Sequence, residues 1–213
     1  MKLTTYPMVR DGAERLLILL HGWSAEQHHL AAYVPLVDPD ERFSAFCPRA
    51  PHDVPGTDGA SWYDRTESGP VAESYRAAVQ LLDEYVHGKM ERAGIGPEHT
   101  VIGGFSQGGF LALSLVLRRG APRYAGVWAM CCALADVEGV PGVDHDLDPG
   151  SGDGRAALVQ VGEHDEIIDP DRGRSAAEHL AAAGWSVDVH GYDMAHSQRI
   201  EMLVDAREWL ARL

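Results

Sequence analysis

An α/β fold with a mostly parallel sheet is the architecture this sequence predicts, and three observations carry the expectation. Short apolar runs rich in Leu, Ile and Val alternate with segments of helical period along the chain. The pentapeptide Gly104-Phe105-Ser106-Gln107-Gly108 fits G-x-S-x-G, the pattern of a strand turning into a helix so sharply that a serine hydroxyl stands clear of the backbone. The length of 213 residues suits one domain with a substantial core, and no Pro/Ser linker or charge run divides it, so residues 1–213 are read as a single unit.

The elements follow in order. Arg15 to Leu20 reads as a buried strand whose exit loop is His21-Gly22, and His29 to Val37 as a weaker helix. Phe43 to Cys47 is the next strand, stopped by Pro48. A Pro- and Gly-rich loop leads to Pro70, which opens a helix with Val71, Tyr75, Val79, Leu82 and Val86 at helical spacing, closed by Gly94. Thr100-Val101-Ile102 feeds the elbow. The helix beyond it is apolar all round, as a buried helix is (Phe110, Leu111, Leu113, Leu115, Val116, Leu117). Tyr124 to Cys131 and Ala156 to Val161 read as further strands, with an irregular Gly/Asp-rich stretch from Ala133 to Gly154 in which no lid is legible. Asp169-Pro170 caps a helix to about Ala183, ended by Gly184. Trp185 to Tyr192 is the last strand. The final helix begins near Ser197 and turns Ile200, Leu203, Val204 and Leu210 inward.

Composition narrows the function classes. The net charge of −14 repels nucleic acid and anionic membrane. Only Lys2 and Lys89 of the 18 basic residues are lysine, which suits both a high-salt habitat and a GC-rich genome. The apolar run after the N-terminus is too short for a signal peptide or a membrane span, so a cytoplasmic protein without stable membrane insertion is expected. Cys47, Cys131 and Cys132 read as core residues of a reducing compartment rather than a disulfide framework.

A serine becomes a nucleophile when a positioned base removes its proton, and the base needs a third group to orient it. In this type of fold the partners stand on loops at the carboxyl ends of later strands, in the chain order Ser, Asp/Glu, His. Asp165, in Gly162-Glu163-His164-Asp165, is placed as the orienting carboxylate, and His196, in Asp193-Met194-Ala195-His196, as the base. Asp169 and Glu163 are rival acids. Asp169 is better explained as a helix cap, and Glu163 sits too close to the strand end. Donors for a developing oxyanion come from the amide after the nucleophile, Gln107, and from the loop after an early strand, where Trp23 is the residue expected to supply the N–H. Trp62 and Met194, on neighbouring loops, are expected to face the substrate. Asp144-His145-Asp146-Leu147-Asp148 starts like a calcium loop, but Pro149 replaces the turn glycine and Arg155 the bidentate Glu; no metal and no cofactor are expected.

With these residues in place the chain resembles the phospholipase/carboxylesterase group of α/β-hydrolases, which includes the acyl-protein thioesterases. The matching segments are Leu20-His21-Gly22-Trp23, Pro48-Arg49-Ala50-Pro51, Ser61-Trp62-Tyr63-Asp64, Gly103 to Gly109, Gly162 to Asp165 and Tyr192 to Ser197. The resemblance implies Ser106, Asp165 and His196 as a triad, the Trp23 and Gln107 amides as an oxyanion hole, and cofactor-free hydrolysis of small-molecule esters or thioesters. Two departures stand out: Ser24 where the family usually has Gly, and Cys131-Cys132-Ala133-Leu134 where it usually has Ser-Gly and a Pro. Short to medium acyl chains are the expected substrates. A lysophospholipase or thioesterase acting on long-chain amphiphiles is the alternative, and a non-catalytic binding module on the same fold comes third.

Overall fold

The apolar runs pair into one seven-stranded sheet. The computed structural model describes residues 3–66, 69–135 and 150–213. The first elements are β1 (Thr5–Met8), β2 (Arg15–Leu20), α1 (Gln27–Ala31), α2 (Val34–Val37) and β3 (Phe43–Pro48). Two small ribbons follow, β4 (His52–Asp53) with β5 (Ala60–Ser61) and β6 (Arg65–Thr66) with β7 (Gly69–Pro70). Next come α3 (Ala72–Ala93), β8 (Thr100–Phe105), α4 (Gln107–Leu117), β9 (Gly126–Met130), β10 (Ala156–Gly162), α5 (Pro170–Ala182), β11 (Ser186–Tyr192) and α6 (Ile200–Ala211). The sheet order is β1-β3-β2-β8-β9-β10-β11, parallel except for β1, which runs antiparallel to β3. This is the α/β-hydrolase architecture. Parallel strands need both faces covered. One cluster, with α3, α4 and α5, fills one face, and a second, with α1, α2 and α6, fills the other.

Four details differ from the sequence expectation. The edge strand β1 has no counterpart in the sequence pattern, because Tyr6 and its neighbours are partly exposed and do not alternate between buried and exposed. The helix expected over 29–37 is two short ones: Pro35 has no N–H to give and its ring blocks a helix running through it. The final helix starts at Ile200 rather than near Ser197, since 197–199 continue the loop that carries His196. Its inward face is Met202, Leu203, Ala206, Trp209 and Leu210, while Ile200 and Val204 are exposed. Residues 136–149, which include most of the irregular stretch and the Asp144-His145-Asp146 segment, lie outside the described residues.

Candidate active site

The site sits at the carboxyl ends of the central strands, where β8 turns into α4. Ser106 occupies the turn at φ 51° and ψ −120°, a conformation that L-residues rarely adopt. Close packing enforces it. A Cβ on Gly104 would come 2.3 Å from the Gly108 carbonyl, and one on Gly108 would come 2.1 Å from the Leu20 oxygen, so only glycine lets α4 seat against β8 and β2. The Ser106 N–H is held by the Met130 carbonyl at 2.9 Å.

Two later loops bring their residues to that hydroxyl. His196 Nε2 lies 2.9 Å from Ser106 Oγ, and His196 Nδ1 lies 2.7 Å from Asp165 Oδ2. The other Asp165 oxygen accepts the amides of Ile167 and Ile168 at 2.9 and 2.8 Å. A buried carboxylate anchored on one oxygen and paired on the other can hold an imidazole in one orientation. The Phe105 ring packs on the imidazole with centroids 4.9 Å apart. Of the acids weighed from sequence, Asp165 is the one that reaches His196. The Asp169 carboxylate caps α5 by accepting from Asp171 N at 3.0 Å, and Glu163 is clamped by Arg174. His164 is exposed and pairs with Asp193.

The Gln107 amide is the first of α4, and such N–H groups have no partner within their helix. Among the described residues, neither it nor the Trp23 amide donates to a protein acceptor. The Gln107 side chain faces the other way. Its oxygen accepts the Trp62 N–H at 2.9 Å and its amide donates to the Tyr63 carbonyl at 3.0 Å, tying segment 61–63 to the elbow. His21, just ahead of the Trp23 loop, is almost wholly buried, and burial pushes its pKa down to about 4. Its Nε2 accepts the Ala50 N–H at 3.0 Å, which leaves the proton on Nδ1, donated to the Gly22 carbonyl at 2.8 Å.

Two expected substrate residues lie elsewhere. Trp62 is fully buried, its indole N–H donating to the His21 carbonyl at 2.8 Å. Met194 is 4% exposed and packs in the core cluster of α6. Both sit beneath the site because their loops are pinned by main-chain bonds that turn the side chains inward. The cleft over Ser106 has a volume of about 350 Å³, and Trp23, Tyr63, Phe110, Ile168, Arg65 and Arg172 are among its lining residues. No local pattern points to the two arginines, which lie on a ribbon and a helix far apart in the chain.

Among the described residues, two groups bring three residues with metal-ligating side chains within 4.8 Å: Glu26, His28 and His29 at the surface, and Cys131, Asp165 and His196. In the second, Asp165 and His196 are engaged with each other and with Ser106, and burial pushes the Cys131 thiol up to about 12, far from the thiolate that metals prefer.

The model of the phospholipase/carboxylesterase family matches residues 8–213. The chain belongs to the phospholipase/carboxylesterase family. Family membership makes this protein a hydrolase of the carboxylesterase type. Among solved structures, the chain is similar to the carboxylesterase of Bacillus cereus at a TM-score of 0.84 and 18% identity, covering 99% of this chain and 94% of that one. It is similar to YahD, solved with malic acid, at 0.84 and 16% identity over 99% of both chains. It also resembles the esterase PE8 at 0.82 and 22% identity, covering 99% of this chain and 97% of that one. At those identities the likeness speaks for the fold. Among the described residues, no helix of this family member is long and apolar enough to cross a membrane.

Proposed function

We propose that the protein is a serine carboxylesterase for short acyl chains, working through an acyl-enzyme on Ser106. The observation that carries the reading is the unbroken relay from Ser106 Oγ to His196 Nε2 at 2.9 Å and from His196 Nδ1 to Asp165 Oδ2 at 2.7 Å. His196 takes the Ser106 proton as Oγ attacks the ester carbonyl, and Asp165 steadies the imidazolium that forms. The Trp23 and Gln107 amides donate hydrogen bonds to the carbonyl oxygen as negative charge develops on it. Imidazolium His196 then protonates the departing alcohol. Water, deprotonated by the same histidine, attacks the acyl-enzyme and releases the acid and the free serine.

The cavity of about 350 Å³ supports short acyl groups over long-chain ones. The half-exposed Trp23 indole narrows the cleft beside the amide it carries. All three cysteines are free and buried, which supports a reducing compartment such as the cytoplasm.

The test is covalent labelling. A fluorophosphonate should modify Ser106, identified by peptide mapping, and Ser106→Ala should lose both the label and ester turnover. Iodoacetamide should leave turnover intact. Inactivation by iodoacetamide that substrate prevents, or labelling that survives in Ser106→Ala, overturns the assignment.

A further inference from the structure

The cleft over Ser106 has an electrostatic character opposite to that of the whole chain. The chain carries a net charge of −14, yet the charged side chains lining this cleft are Arg65, from the β6–β7 ribbon, and Arg172, from the first turn of α5; no Asp or Glu lines it among the described residues. Acidic partners are abundant elsewhere. Arg174, two residues beyond Arg172, is held by Glu163 and Asp171, and Arg49, Arg118 and Arg123 are held by Asp53, Asp83 and Asp153. The Arg65 and Arg172 guanidinium groups have no hydrogen bond or ion pair among the described residues. On an open surface an unpaired arginine is ordinary. Two beside one nucleophile, in a concavity whose described lining holds no carboxylate, leave a site short of negative charge.

A guanidinium offers a planar fork of donors that matches a carboxylate and stays charged at every working pH. The remaining wall, Trp23, Tyr63, Phe110 and Ile168, suits a short hydrocarbon segment between the ester carbonyl and that anion. The leaving alcohol must depart beside His196, which protonates it. His196 does not line the arginine-bearing cleft, whereas Ser106 and Gln107 do. The cleft is therefore the acyl side. Resting on the reading of Ser106 as nucleophile, we infer that the enzyme selects esters whose acyl part ends in a carboxylate, that is, monoesters of short dicarboxylic acids. Hydrolysis consumes one water and releases the alcohol, the dicarboxylate and one proton.

The experiment compares three esters on purified protein by titrating the acid released: monoethyl glutarate, ethyl valerate of the same acyl length, and O-butyrylglycolate, whose carboxylate lies on the leaving alcohol. kcat/KM should be about tenfold or more higher for monoethyl glutarate than for ethyl valerate, the scale of a desolvated charge pair. The ratio should collapse to about one in Arg65→Gln/Arg172→Gln, with an unchanged melting temperature showing that the variant is folded. Monoethyl glutarate no better than ethyl valerate overturns the inference, as does a ratio that survives in the double variant. A preference confined to O-butyrylglycolate overturns the acyl-side assignment. If none of the three esters is turned over in a Ser106-dependent way, the esterase reading itself fails, and that result is distinct from equal turnover of all three.

Discussion

His21 Nδ1–H donates to the Gly22 carbonyl at 2.8 Å, and that carbonyl shares its peptide unit with the Trp23 N–H. A trans peptide is planar, with its C=O and N–H pointing in opposite directions. Anchoring the Gly22 oxygen on the imidazole therefore fixes the plane of that peptide unit and aims the Trp23 amide away from the His21 ring. The Ala50 N–H, bonded to the other ring nitrogen, fixes the tautomer that makes this possible.

His21→Phe, which keeps a ring but neither hydrogen bond, should lower kcat about 10- to 100-fold while KM changes little if the Trp23 amide acts in the transition state as proposed. The same residue sets an acid limit. Its folded pKa is about 4, below the ordinary 6.5, so the unfolded chain binds the extra proton. Its contribution is fully present above about pH 6.5 and is lost as pH falls from there to about 4. Melting temperature followed across that range should drop in the wild type and drop less steeply in His21→Phe.

Asp165→Asn should cut kcat by about 10³- to 10⁴-fold. Asn still accepts the Ile167 and Ile168 amides through its oxygen, but it then turns an NH₂ toward His196 Nδ1 and forces the tautomer that cannot take the serine proton. Asp169→Asn should stay near wild type, since its carboxylate only caps α5. Steady-state kinetics of the two variants decide between them.

Gln107→Leu should destabilise the fold by about 2–4 kcal/mol in urea denaturation, because it strands the buried Trp62 N–H and weakens the hold on the Tyr63 carbonyl. The main-chain amide remains, so any turnover lost beyond what unfolding explains measures how far segment 61–63 supports the elbow.

Esters of increasing acyl length should peak at roughly two to six carbons, each further methylene gaining little of the ~0.8 kcal/mol that burial offers. Rates that climb through decanoyl and palmitoyl esters, or a jump above the critical micelle concentration, would move the protein to the long-chain thioesterase or lysophospholipase side.

Salt should raise the melting temperature. The net charge of −14 repels itself over a screening length of about 10 Å at 0.1 M salt and about 3 Å at 1 M. Calorimetry across that range should show a steady rise; a flat curve would leave base composition as the reason for so little lysine.

The sequence by itself determined the sheet and the order of the site. Leu16 to Leu20 is apolar without interruption, and Ala157 to Val161 is broken only by Gln160, because parallel strands are covered on both faces; that pattern survives without knowledge of the partners. Gly104 and Gly108 are legible because a sharp turn permits few residue types, and the loops that leave two later strands offer Asp165 and His196 in the order this type of fold expects. Tertiary structure decided what depends on direction. Trp62 and Met194 were placed near the substrate by position alone, but a loop residue points wherever its main-chain bonds turn it, and both point into the core. The inward face of α6 shifted from Ile200 and Val204 to Met202 and Ala206, since several faces of a short apolar helix satisfy the same count. Arg65 and Arg172 meet in one cleft only because a ribbon and a helix 107 residues apart in sequence converge on Ser106, and local patterns hold no record of such long-range encounters.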